Sequence, residues 1–221
     1  MTKSARAEAV KVLDILRKAT KDVPDTMSVV VAQEYHKDPF LLLISCLLSL
    51  RAKDFKTLPI VRRLFFVAKT PQDFISMPLV DLEKFIYSIG FYRQKARTIK
   101  SVSKELVERF DGRVPNTFEQ LRSIKGIGPK TANLVLGLAF DVPAICVDVH
   151  VHRLANMLGL IRTTNPIETE KALKAILPRK YWIESNQLLV KLGQNIVQVV
   201  PRLPKDIQVR LKSLIPKCVK L

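Results

Sequence analysis

Apolar positions recur every three to four residues along nearly the whole chain, the spacing of helices with one buried face. Over Ser4–Ala19, Val10, Leu13 and Leu16 fall on one side and lysines and arginines on the other. Pro39 opens an apolar helix, at a first-turn position where a missing N–H costs no hydrogen bond. The same spacing predicts helices over roughly 53–67, 79–89, 92–110, 129–140, 148–159, 166–176, 184–198 and 204–215. Prolines at 59, 71, 78, 115, 143, 166, 178, 201 and 204 stand mostly at helix starts or between helices. Strand-like stretches are confined to Val29-Val30-Val31 and Gln198-Val199-Val200, so the expected fold class is all-α. No repeat, low-complexity segment or Gly/Ser linker divides the chain. If it holds two domains, helices and short turns join them, and the crossing is expected near Asp141-Val142-Pro143. A cleft at such a junction is a common place for a site.

A length of 221 residues and an apolar content of 48% suit a globular protein and exclude a disordered one. The net charge of +17 changes the picture more, because such an excess attracts polyanions, nucleic acid above all. A basic protein merely kept soluble by its charge is the alternative. A membrane role is not expected. The longest apolar run, Phe40 to Leu50, is too short to span a bilayer and contains Ser45 and Cys46, and no basic helix carries an aromatic face. The opening Met1-Thr2-Lys3-Ser4 leads into a mixed charged helix rather than a signal peptide. Cys46, Cys146 and Cys218 are scattered, odd in number and without CxxC spacing, which points to a reducing, intracellular compartment.

Candidate chemistry is concentrated between Leu121 and Arg153. A short helix ends at Gly126-Ile127-Gly128, and Pro129-Lys130-Thr131 opens a new one. Gly126 can end the first helix in a left-handed conformation, Gly128 lets backbone approach a ligand, and Pro129 suits the first helical position. N–H groups at such a turn and helix start suit one phosphate, a contact that positions nucleic acid without reading bases. A plain turn between helices is the alternative; Lys125, Lys130 and the overall charge favour phosphate. Lys130 reads either as a solvated lysine or as an amine nucleophile. The helix start and Lys125 disfavour its charged form, whereas a bound phosphate and Asp148 favour it. Asp148, in Val147-Asp148-Val149-His150, is a natural N-cap for the helix after it, and equally a carboxylate able to stabilise an oxocarbenium-like sugar. His150 and His152 point to different helix faces and His36 is remote, so no zinc set is expected.

These segments together resemble the helix-hairpin-helix DNA glycosylases, most closely the endonuclease III branch. The likeness runs from Leu121 to Arg153. It extends back through Ile89-Gly90-Phe91-Tyr92-Arg93-Gln94-Lys95-Ala96 to Leu47-Leu48-Ser49-Leu50-Arg51-Ala52-Lys53-Asp54 and Pro39-Phe40. The resemblance implies two helical domains flanking a DNA-binding cleft. One comprises residues 1–30 and 143–221 and carries Asp148; the other comprises 31–142 and ends in the helix-hairpin-helix of about 118–140. It implies a base-excision repair enzyme that flips a damaged base, most often an oxidised pyrimidine, and attacks C1′ with Lys130 while Asp148 assists. Strand cleavage by β-elimination, an AP-lyase activity, would follow; a monofunctional glycosylase and a noncatalytic helix-hairpin-helix DNA-binding protein are the alternatives. Arg51 falls where the family fills the gap left by the flipped nucleotide, and Phe91 where it places an apolar wedge. Lys125, Gly126, Ile127, Gly128 and Thr131 are the implied phosphate contacts; Ser49, Arg122 and His150 are candidates for the base pocket. The implied partner is double-stranded DNA with damaged bases or abasic sites, met by a DNA-associated monomer inside the cell.

The chain departs from the family at several places. Many members of the branch hold a [4Fe–4S] cluster on four C-terminal cysteines, whereas Val197, Pro204, Ile207 and Ser213 stand near those places here, counting from Gly193. Cys218 alone cannot replace four thiolates, so no cofactor and no metal are expected. The 201–221 tail, with Arg202, Lys205, Arg210, Lys212, Lys217 and Lys220, would then supply basic contacts or packing. Arg51 replaces a frequent amide, and Arg122 stands where an acidic residue often recognises the base, which bears on substrate choice.

Overall fold

The computed structural model describes residues 3–195, 197 and 205–214, and among these there are helices and no strand. In order they are α1 (Lys3–Ala19), α2 (Met27–Glu34), α3 (Pro39–Ser49), α4 (Asp54–Val67), α5 (Pro71–Ser76), α6 (Leu79–Phe85) and α7 (Tyr92–Phe110). They continue as α8 (Phe118–Ser123), α9 (Pro129–Phe140), α10 (Val149–Met157), α11 (Pro166–Ile176), α12 (Trp182–Asn195) and α13 (Lys205–Leu214). Pro39, Pro71, Pro129 and Pro166 each open a helix, while Pro59 stands inside α4. Gln198-Val199-Val200 lies outside the described residues.

The chain divides into two units, residues 27–142 and residues 1–26 with 143–221. The first boundary falls before Met27, not after residue 30, because α2 belongs wholly to the central unit. Its first residue is buried, its N–H donates to Asp54 Oδ2 at 3.0 Å, and the helix packs on α3, α4 and α9. This helix contains Val29-Val30-Val31. Packing of Met27 and Val31 one turn apart outweighs the strand preference of three valines in a row.

In the central unit α3 is buried on every side from Phe40 to Leu48, which is why its sequence is apolar without interruption by charge. Asp38 starts it by accepting the Leu41 N–H at 2.8 Å. α2, α4, α7 and α9 surround it, and α5 and α6 pack against α7. α6 stops at Phe85, short of the expected residue 89, and residues 86–91 turn the chain back into α7.

The other unit is α1 with α10 to α13 around a core that includes Leu13, Leu16, Val151, Leu154, Leu189 and Leu192. α1 buries Ala9, Val12, Leu13 and Leu16, so its inward face centres on Val12; the expected Val10 is only half-buried. Among the described residues no helix is long and apolar enough to cross a membrane.

Candidate nucleic-acid interface and catalytic residues

The hairpin between α8 and α9 is built from both ends. Thr117 caps α8 by accepting the Gln120 N–H, and Pro129 opens α9. Gly126 has φ +99°, and a Cβ there would lie 2.7 Å from Thr98 Cγ2 on α7, so both conformation and close packing demand glycine. Gly128 is extended, and a Cβ on it would meet nothing within 4 Å; this glycine faces open space. Ile127 is buried and its N–H bonds the Ile124 carbonyl at 3.1 Å, which pins the turn to the unit.

α7 braces this turn through a charged set that sequence inspection missed. Glu105 accepts the Lys125 N–H at 3.1 Å and pairs with Arg109 at 2.8 Å. Arg109 in turn donates to Ser123 Oγ at 2.9 Å. The Arg122 guanidinium, exposed on α8, donates to the Ile127 carbonyl and so holds the hairpin from within. Lys125 and Lys130 are exposed on the same segment, whereas the Ile127 and Thr131 side chains are buried and offer nothing to a phosphate.

Lys130 is the second residue of α9, the helix that packs on α3. Burial pushes the Cys46 thiol of α3 up to about 12, and the nearby Lys130 charge opposes that rise. Ser49, at the end of α3, is half-buried and its hydroxyl donates to the Cys46 carbonyl at 2.9 Å.

Arg51, Phe91 and Gly126, distant in sequence, line one cavity of about 400 Å³ with Leu47, Gln94 and Lys95. Arg51 and Phe91 both adopt left-handed backbone, with φ of 53° and 61°. The Arg51 guanidinium carbon stands 6.0 Å from the Phe91 ring centre, and that ring is 60% exposed. An exposed aromatic beside a guanidinium is suited to unstacking a base step. Lys95 was not singled out from the sequence as a site residue. It is buried, with Ala96 and Ile99, on the inward face of α7, the helix that packs on α3. Burial pushes its amine down to about 8. The signal was present: a lysine on the inward face of an amphipathic helix is uncommon.

Asp148 and His150 belong to the other unit. Asp148 is the N-cap of α10, and its Oδ1 accepts the N–H groups of His150 and Val151 at 2.9 Å each. Capping therefore fixes the direction of the carboxylate. His150 is half-buried against α12, where a Cβ on Gly193 would lie 2.6 Å from His150 Nδ1. Gly193→Ala is accordingly expected to push the first turn of α10 outward. It should cost about 1–3 kcal/mol of stability by overpacking and disturb Asp148 with it. Thermal unfolding checks this, and an unchanged Tm would show that His150 swings aside freely.

A four-thiolate cluster does not fit the residues present. The chain has cysteines only at 46, 146 and 218. Cys46 and Cys146 are buried in different units, and Cys218 lies outside the described residues. Val197 and Ile207, near places of expected cluster ligands, are part of the hydrophobic core of their unit. Lys205, Arg210 and Lys212 of the basic tail fall in α13, while Arg202, Pro204, Lys217 and Lys220 lie outside the described residues.

Residues 44–179 match the family described as HhH-GPD superfamily base excision DNA repair protein. Endonuclease III of Thermotoga maritima is 45% identical over 159 residues, 72% of this chain and 75% of its own length. A solved non-covalent endonuclease III–DNA complex is similar with a TM-score of 0.80 and 33% identity, over 96% of this chain and 100% of that one. A trapped endonuclease III–DNA covalent intermediate, an estranged-adenine complex, gives a TM-score of 0.76 and 36% identity over 88% and 87%. The chain belongs to the HhH-GPD superfamily of base excision DNA repair proteins, among the homologues of endonuclease III.

Proposed function

We propose that this protein, a DNA N-glycosylase and AP lyase by its kinship with endonuclease III, uses Lys130 as its nucleophile on duplex DNA carrying an oxidised pyrimidine or an abasic site. The observation that carries this reading is an exposed lysine at the head of α9, directly after a hairpin whose Gly128 faces open space, inside the segment matched by the family.

A base within the stack is out of reach, so the target nucleotide is first extruded. Arg51 fills the gap and Phe91 wedges beside the unpaired partner, while the hairpin and Lys125 hold a phosphate. The uncharged Lys130 amine attacks C1′, and the base leaves with the electrons of the C1′–N bond. Asp148 stabilises the positive charge that develops on the sugar and assists proton movement. One proton passes from the amine to the ring oxygen O4′ as the C1′–O4′ bond breaks, leaving a protonated Schiff base. Removal of a C2′ proton then expels the 3′ phosphate and breaks the strand.

A duplex bearing one thymine glycol should yield both free base and a nicked strand on a denaturing gel. Base release without nicking would reduce Lys130 to a phosphate ligand, and no activity on lesion or abasic duplexes would overturn the reading. The protein works as a monomer and without an iron–sulfur cluster. Protein made in iron-depleted medium is expected to match iron-replete protein in specific activity and to show no iron–sulfur absorption. Activity that tracks iron content would refute this.

A further inference from the structure

Two backbone segments present Arg51 and Phe91, and one buried residue links them, by its side chain to the first and by its main chain to the second. The last carbonyls of a helix have no partner within it. At the end of α3 that of Cys46 takes the Ser49 hydroxyl at 2.9 Å, and that of Ser49 takes the Ala52 N–H at 3.0 Å. The Leu48 carbonyl takes the Lys95 ammonium at 2.8 Å, from a residue 47 positions away. The same lysine's backbone N–H bonds the Phe91 carbonyl at 3.0 Å, in the first turn of α7. The segments also meet directly: a Cβ on Gly90 would lie 3.8 Å from the Arg51 carbonyl oxygen.

We propose that Lys95 is a positioning residue that sets the spacing and direction of Arg51 and Phe91 for entry into duplex DNA; this rests on the insertion roles given to those two residues above. A buried ammonium is costly, and an apolar side chain of the same length would fill the site without that cost. Lys95 touches no reacting atom. It fastens the end of α3 to the start of α7, so that both left-handed residues stand at one mouth of the cavity. Extrusion from a duplex needs them in register, whereas an abasic sugar in a single strand has nothing to extrude.

The test compares the two substrates. In Lys95→Met, incision of a thymine-glycol duplex should fall about twentyfold or more, while borohydride trapping on single-stranded abasic DNA falls less than about threefold. The double variant R51A/F91A should show the same split, and adding K95M to it should lower duplex incision by no more than about twofold. Equal losses on both substrates, no loss on either, or full additivity with R51A/F91A would overturn the proposal. Should K95M fail to fold by circular dichroism, K95Q, too short to reach Leu48, is scored by the same criteria. Wild-type protein that traps on neither substrate would refute the Lys130 chemistry instead, so the two failures are distinguishable.

Discussion

Lys130→Ala is expected to abolish borohydride trapping on abasic duplex and to lower strand incision about a thousandfold or more, a loss of roughly 4 kcal/mol in transition-state stabilisation. No other group in the hairpin can form the imine at that place. Gly126 and Gly128 have no side chain, Ile127 and Thr131 are buried, and the exposed Lys125 is separated from Lys130 by the turn. Binding should survive far better than chemistry, because the hairpin and Lys125 remain to hold phosphate. The expected pattern is therefore a Kd within a few-fold of wild type together with lost turnover. Trapping at the wild-type level in the alanine variant would show that another amine is the nucleophile.

Asp148→Asn is expected to lower base release by about two to four orders of magnitude while leaving Tm nearly unchanged. The separation follows from the cap. One carboxylate oxygen accepts both N–H groups at the head of α10, and an asparagine carbonyl can accept the same pair. What the amide lacks is negative charge for the developing cation and basicity for the proton. Asp148→Ala makes the contrast useful, since it removes the cap as well and should cost about 1 kcal/mol of stability. Wild-type activity in the asparagine variant would leave Asp148 as a cap and nothing more.

What could be read from the chain depended on how far apart the interacting residues are. Gly126, Pro129 and Asp148 act through neighbours within a few positions, in turns and caps whose chemistry is local, and their backbone roles were legible. The α2 helix was harder, because three valines favour a strand until burial against α3, α4 and α9 decides otherwise. The reach of Arg122 to the Ile127 carbonyl, five residues on, depends on how the turn folds back and is not legible from its family position. Lys95 and Gly193 were the least legible. The partner of one is the Leu48 carbonyl, and the neighbour of the other is the His150 ring, and neither pairing leaves a mark in local sequence. Only the lysine's place on an apolar stripe hinted that it had work inside the unit.

The left-handed backbone at Arg51 and Phe91 bears on any attempt to toughen this protein. A side chain other than glycine or asparagine resists that conformation, so glycine at either position relaxes the chain locally. A screen that rewards only survival on heating will therefore enrich exchanges at 51 and 91 and discard the two groups assigned to enter the helix. Sturdier variants found that way are expected to grip DNA yet leave its bases stacked, a trade between durability and repair written into two torsion angles.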